Sequence, residues 1–219
     1  MTVEMKRNMN KTKWHSKVVH LTVALALVLS FSLLTTVPAL AAPLVDSVTE
    51  TTFDTATSDH YVNMPATVNA GDLLIVLFTN DGNATVTTPA EWTELASNAG
   101  NGAVRLSVYY KIAGGTEGST TVNFATSAAE EAAAQVYRIT NWHGTTPPEI
   151  SAAATGTSTR PNPASLTPAG WDVADTLWLA VGGQDRGDQS GTTAYPASYT
   201  DGTSTLSSDG TGSCRTLSA

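Results

Sequence analysis

With 19 acidic residues against 11 basic ones in a chain of 219, the protein lacks the clustered Lys and Arg that binding to nucleic-acid phosphates requires. The bias is concentrated: Lys6, Arg7, Lys11, Lys13 and Lys17 stand in the leader, and from Ala42 onward six basic residues face eighteen acidic ones. That surface also disfavours anionic membranes, suits solubility outside a cell, and attracts divalent cations weakly.

The chain opens on this basic head, followed by an apolar run from Val18 to Val37 and the stretch Pro38-Ala39-Leu40-Ala41-Ala42. These are the three parts of a secretory signal peptide. Ala39 and Ala41 suit the two small pockets of the peptidase. Cleavage is therefore expected after Ala41, giving a helical signal peptide over residues 1–41 and one domain over 42–219. An uncleaved anchor is the rival reading, because the run approaches the roughly 20 residues that span a bilayer. His20, Thr22, Ser30, Ser32, Thr35 and Thr36 dilute the run and favour cleavage.

After the leader, short apolar runs are cut by Gly, Pro, Asn and Asp every ten residues or so, the spacing of an antiparallel sandwich or barrel. The expected strands are Leu44–Phe53, His60–Met64, Leu73–Thr79, Thr85–Thr88, Trp92–Ser97, Ala103–Ile112, Thr121–Ala125, Ala133–Trp142, Ala152–Thr159, Thr176–Val181 and Ser198–Leu206. Leu73–Thr79 and Thr176–Val181 are apolar on both faces and are expected at the centre of a sheet. In Ala103–Ile112, alternation puts Val104, Leu106, Val108, Tyr110 and Ile112 on a buried face and Arg105, Ser107, Tyr109 and Lys111 on a wetter one. Ser127–Gln135 has helix propensity but runs into a strand-like segment, and is expected to be a turn feeding it.

Part of this pattern recurs. Ala70–Asp81 is echoed by Val173–Asp185, Thr88-Pro89-Ala90-Glu91-Trp92-Thr93 by Tyr195-Pro196-Ala197-Ser198-Tyr199-Thr200, and Arg105 by Arg215. Two such halves packed face to face predict an all-β, antiparallel, jelly-roll-like or immunoglobulin-like β-sandwich. In the first half two further strands follow the Arg-bearing one. The expectation is therefore that the second half lacks its C-terminal strands and that the chain is the front of a longer protein.

The ordered motifs Gly71–Leu74, Thr88–Thr93, Val108–Lys111 and Tyr137–Trp142 resemble sandwich domains of bacterial surface proteins and of phage tail or appendage proteins. The resemblance runs over about Leu44 to Ala219. It implies attachment or display and supplies no catalytic residues.

Signatures of enzymes are scarce. The sequence holds no Gly-x-Ser-x-Gly elbow, His-Glu-x-x-His pair or phosphate loop. Glu130-Glu131 is the one adjacent carboxylate pair, and neighbours on a strand point to opposite faces, so it does not meet the roughly 5 Å separation of a retaining glycosidase. Cys214, the single cysteine, gives no disulfide framework and is expected to be a buried hydrophobe in a strand rather than a nucleophile beside His60 or His143.

Four weaker candidates remain. Asp185 and Asp188, with the Gln189 carbonyl, could hold calcium, which takes six to eight oxygens from flexible loops. Arg186-Gly187-Asp188 matches a short adhesion tripeptide and is expected to be a chance match. Among Trp92, Trp142, Trp171, Tyr109 and Tyr199, the residues Trp92 and Tyr199 fall at equivalent Pro turns and read as structural plugs. Trp142, flanked by Asn141 and His143, reads as the exposed, ligand-stacking ring. Asn83-Ala84-Thr85 is a glycosylation sequon that a bacterial-style leader leaves unused. The functional expectation is a secreted or cell-surface, non-enzymatic sandwich with a binding, adhesion or display role toward a glycan or another surface protein. The alternative is a carbohydrate-binding module of a larger extracellular hydrolase, and a direct glycosidase or lyase ranks behind both.

Overall fold

The computed structural model describes residues 41–100, 102–156, 164–169, 176–185, 195–196, 198–208, 210 and 212–219. Among these there is no helix, and each pairing is antiparallel. The strands are β1 (Leu44–Thr57), β2 (Tyr61–Asn63), β3 (Leu73–Asp81), β4 (Thr93–Gly100), β5 (Val104–Ile112), β6 (Thr121–Asn123), β7 (Glu130–Thr140), β8 (Val181–Asp185), β9 (Thr203–Leu206) and β10 (Cys214–Ser218). They form a five-stranded sheet ordered β1-β7-β3-β5-β4, a three-stranded sheet β8-β10-β9, and the pair β2-β6.

The five-stranded sheet is the middle layer, which explains why β3 is apolar on both faces. Leu74, Val76 and Phe78 face one way and join Val62, Trp92, Tyr109 and Phe124 in a core under β2 and β6. Leu73, Ile75 and Leu77 face the other way and pack with Val108, Tyr137 and Ile139 beneath Leu177, Leu179 and Val181. Phe78, Tyr109 and Phe124 are fully buried; burial of side chains this size stabilises a fold by roughly 1.5–3 kcal/mol each.

Burial on both sides overturns the wet face expected for the Arg105–Lys111 set. Ser107 and Tyr109 are 0 % exposed. Alternation still divides the strand into two faces, but here each has a layer on it. Ser107 is tolerated because its hydroxyl lies 2.9 Å from the Ser97 hydroxyl, which also accepts a bond from Arg105.

Other expectations change in detail. Thr85–Thr88 contributes only an isolated bridge, Val86 to Thr126. No strand forms over residues 152–156, and the rest of Ala152–Thr159 lies outside the described residues. In the Thr176–Val181 segment the strand begins only at Val181 and continues to Asp185. One face of this segment packs inward, while Trp178 is 43 % exposed. The Ala-rich segment turns at Ser127–Ala129 and enters β7 at Glu130.

The repeat reappears as backbone register. In the first half Asp81 pairs with Val104 and Asn80 with Arg105; in the second, Asp185 pairs with Cys214 and Gln184 with Arg215. On the other side of the Arg-bearing strands, Ala99 pairs with Arg105 and Leu206 with Arg215. The order β3-β5-β4 is thus reproduced by β8-β10-β9 with Arg opposite equivalent positions. The two copies stack so that β8 lies on β3 and β5, and β10 lies on β3 and β7. Gly183 makes this approach possible: a Cβ there would sit 3.0 Å from the Leu106 Cβ and 3.2 Å from the Thr79 Cγ2.

Candidate functional site

The chain leaves β7 through Asn141, whose φ of 56° lies in the left-handed region that Asn tolerates better than most residues. That turn sends Trp142 back into the protein. It is 8 % exposed, packs in the cluster with Tyr137 and Ile139, and its Nε1–H donates to the Gly71 carbonyl at 2.7 Å. The exposure expected of this ring is therefore overturned: it is buried, and Gly71 takes its only donor. Asn141 and His143 remain at the surface. His143 Nδ1 accepts from the Thr146 N–H at 3.2 Å and lies 3.1 Å from the Thr145 hydroxyl, so the ring braces its own turn. Trp92 is buried against Phe124, as a structural plug should be.

At the end of the sheets where β3 and β8 stop, carboxylates gather. Asp185 meets Asp81 through a side-chain hydrogen bond; burial, then this contact, pushes the Asp81 carboxyl above its ordinary value. Glu131 adds negative charge and accepts bonds from Ser207 at 3.1 Å and Ser208 at 2.7 Å. The Glu130 carboxylate closes over Gly82 and is raised by burial and by Asp81. Glu130 and Glu131 thus diverge as strand neighbours must. Asp188 and Gln189, along with Arg186, Gly187 and Trp171, lie outside the described residues. Asp185 itself turns to Asp81, and among the described residues no group of three or more His, Cys, Asp or Glu side chains is arranged to hold a metal ion.

A site the sequence reading missed centres on Arg138. Its Nε–H donates to Asp72 at 2.6 Å and its Nη1–H to Asp46 at 2.5 Å, and the Asp72 carboxylate raises its pKa. Asp72 also accepts the Asn69 N–H at 2.7 Å. Arg138, Asp46, Ser47, Thr49, Ala66 and Thr67 line a groove of about 320 Å³. Its charged lining groups, Arg138 and Asp46, are paired with one another, which leaves Ser47, Thr49 and Thr67 as the remaining polar lining. One sequence signal was present: an Arg in the otherwise apolar Val136–Ile139 run requires a carboxylate partner, and Gly71-Asp72 supplied one.

Groups with reactive chemistry are committed to the fold. His60 is 0 % exposed, with its ring nitrogens on the carbonyls of Phe124 and Glu130, and burial lowers its pKa. The Cys214 thiol, as expected, is buried in a strand; it donates to the Thr79 carbonyl at 3.2 Å, and burial pushes it up to about 12. Burial also lifts Tyr109 to about 12. Glu117 goes the other way. Burial opposes its charge, but the N–H groups of Gly114, Gly115 and Thr116, each at 2.9 Å, and Lys111 at 2.9 Å hold it down at about 2.

Comparison of the chain with protein-family models, with curated proteins and with solved structures found no match.

Proposed function

We propose that the chain is exported by its leader, cut after Ala41, and that residues 42–219 form a jelly-roll-like or immunoglobulin-like β-sandwich with a non-enzymatic binding, adhesion or display role at a bacterial surface. One observation supports this reading above the others: the buried His60, Cys214 and Trp142 are engaged in internal hydrogen bonds, and the buried Tyr109 and Trp92 in packing against Phe124. The partner is a glycan or another surface protein. A glycan array run with and without calcium, beside a panel of glycosidase and lyase substrates, tests it. Binding without turnover is the expected result, and turnover of any substrate overturns the non-enzymatic reading.

The groove at Arg138 supports the alternative, a carbohydrate-binding module, because its Ser47, Thr49 and Thr67 hydroxyls match the hydrogen-bonding groups of a saccharide. Loss of glycan binding in Thr49→Ala and Thr67→Ala, with the melting temperature unchanged, would favour it.

A further inference from the structure

We propose that Thr205 and Gln135 join in an intramolecular ester, made by the folded chain itself, that bolts the three-stranded sheet to the five-stranded one. The inference needs only the geometry of one buried network and stands whether or not the chain binds a glycan.

Register and stacking bring the parts together. Glu50 on β1 and Gln135 on β7 are cross-strand partners, so their side chains share a face. β9 and β10 lie on that face, with Thr205 opposite Thr216 and Ser218 two residues further along β10. The Thr205 hydroxyl donates to the Glu50 carboxylate and accepts from the Gln135 amide Nε2–H at 3.0 Å. The Ser218 hydroxyl donates to Gln135 Oε1 at 2.5 Å and itself accepts from the Tyr137 hydroxyl at 2.5 Å. Four parts of an acyl transfer are thus in contact: a hydroxyl nucleophile, a carboxylate on its proton, an amide carbonyl beside it, and a donor on the carbonyl oxygen.

The step balances within the chain. Glu50 takes the hydroxyl proton as Thr205 Oγ1 bonds to Gln135 Cδ, and Ser218 holds the negative charge that develops on Oε1. The Glu50 carboxyl then gives the proton to Nε2, the Cδ–Nε2 bond breaks, and ammonia leaves. No oxidant or co-reactant is consumed. An ester is less stable than an amide in open water, but groups held in place react at effective concentrations of about 10⁵ M or more, and the ammonia dilutes away as ammonium. Gln135 is fully buried and Thr205 and Ser218 nearly so, which shields the ester from hydrolysis. The bond would tie positions 70 residues apart, restricting the unfolded chain as a disulfide does, in a protein whose single cysteine forms none.

Tryptic digestion of the full chain, denatured in urea and read by mass spectrometry, tests the proposal. Peptides 112–138 and 187–215 should appear as one branched species, lighter than their sum by one ammonia, that hydroxylamine splits. Thr205→Ser keeps the hydroxyl and should keep the branch; Thr205→Val should lose it. Glu50→Gln changes an exposed residue and should lose the branch while its circular dichroism stays that of the parent. Separate peptides of full mass from the parent chain would overturn the proposal, since the contact would then be hydrogen bonding alone. So would a branch that survives in Thr205→Val or Glu50→Gln, or one that maps to other residues.

Discussion

Asp81 and Asp185 hold equivalent places in the internal repeat, each one residue beyond the partner of an Arg, and their carboxyl groups meet where the two sheets stack. Burial and this contact raise Asp81 above its ordinary 3.8. The folded chain therefore holds that proton more tightly than the unfolded chain. Stability falls as pH rises from about 3.8 through the raised value, and the penalty persists above it. Asp81→Asn should raise Tm at pH 7, modestly because the group is half-exposed and screened. It should also flatten the gain that the parent chain shows on mild acidification. Thermal melts between pH 7 and pH 4 check both; a lower Tm at pH 7 would contradict the arrangement.

Glu117 predicts the opposite slope. Its folded value of about 2 lies below the ordinary 4.5, so its contribution is present above 4.5 and is lost as pH falls towards 2. Glu117→Gln leaves the N–H groups of Gly114, Gly115 and Thr116 with a weaker acceptor and Lys111 with one carboxylate fewer. A loss of roughly 2–3 kcal/mol at pH 7 is expected from removing a charged, buried acceptor. The loss should shrink in acid, as read by urea titrations at pH 7 and pH 3.

Ser107 and Val108 point to opposite faces of one strand, and both faces are covered. Val108→Asp should therefore destabilise severely, by several kcal/mol, since it buries an uncompensated charge. Ser107→Asp should also destabilise but less, because Arg105 reaches the Ser97 hydroxyl beside it. Thr93→Asp, at an exposed position on the neighbouring strand, should cost little. Expression of soluble protein and melting curves separate the cases.

Cys214 offers a test of the packing between the two copies. Its thiol is buried and raised to about 12. A disulfide reagent at pH 8 should leave it untouched in the folded chain and modify it at the rate of global unfolding in denaturant. Rapid labelling of native protein would mean that β10 does not lie on the five-stranded sheet.

Much of the fold was legible because strands announce themselves through local pattern. The two-faced apolar run Leu73–Phe78 led to the centre of a sheet, and Asp81, Arg105, Asp185 and Arg215 traced a repeat that survives as register. Layering was not legible. Whether Ser107 meets water or a second sheet depends on residues far along the chain, and alternation is blind to that. The same limit hid the site at Arg138: Asp46, Asp72 and Arg138 are distant in sequence and converge only when β7 pairs with β1 on one side and β3 on the other. Trp142 was misplaced because one positive φ at Asn141 reverses the direction of the ring.

The stacking of β8 on β3 carries a consequence for symmetry. Leu177, Leu179 and Val181 share a cluster with Leu73, Ile75 and Leu77, Gly183 lies against Thr79, and Asp185 meets Asp81. Equivalent residues thus face one another, as on the two-fold axis of an isologous dimer. On such an axis every residue of a true homodimer must accept its own copy, so bulk collides with bulk and charge with like charge. Joining both copies in one chain removes that constraint, because each side can change alone. At Thr79 and Gly183 the two halves differ and the layers close; at Asp81 and Asp185 they are alike, and like meets like inside a single polypeptide.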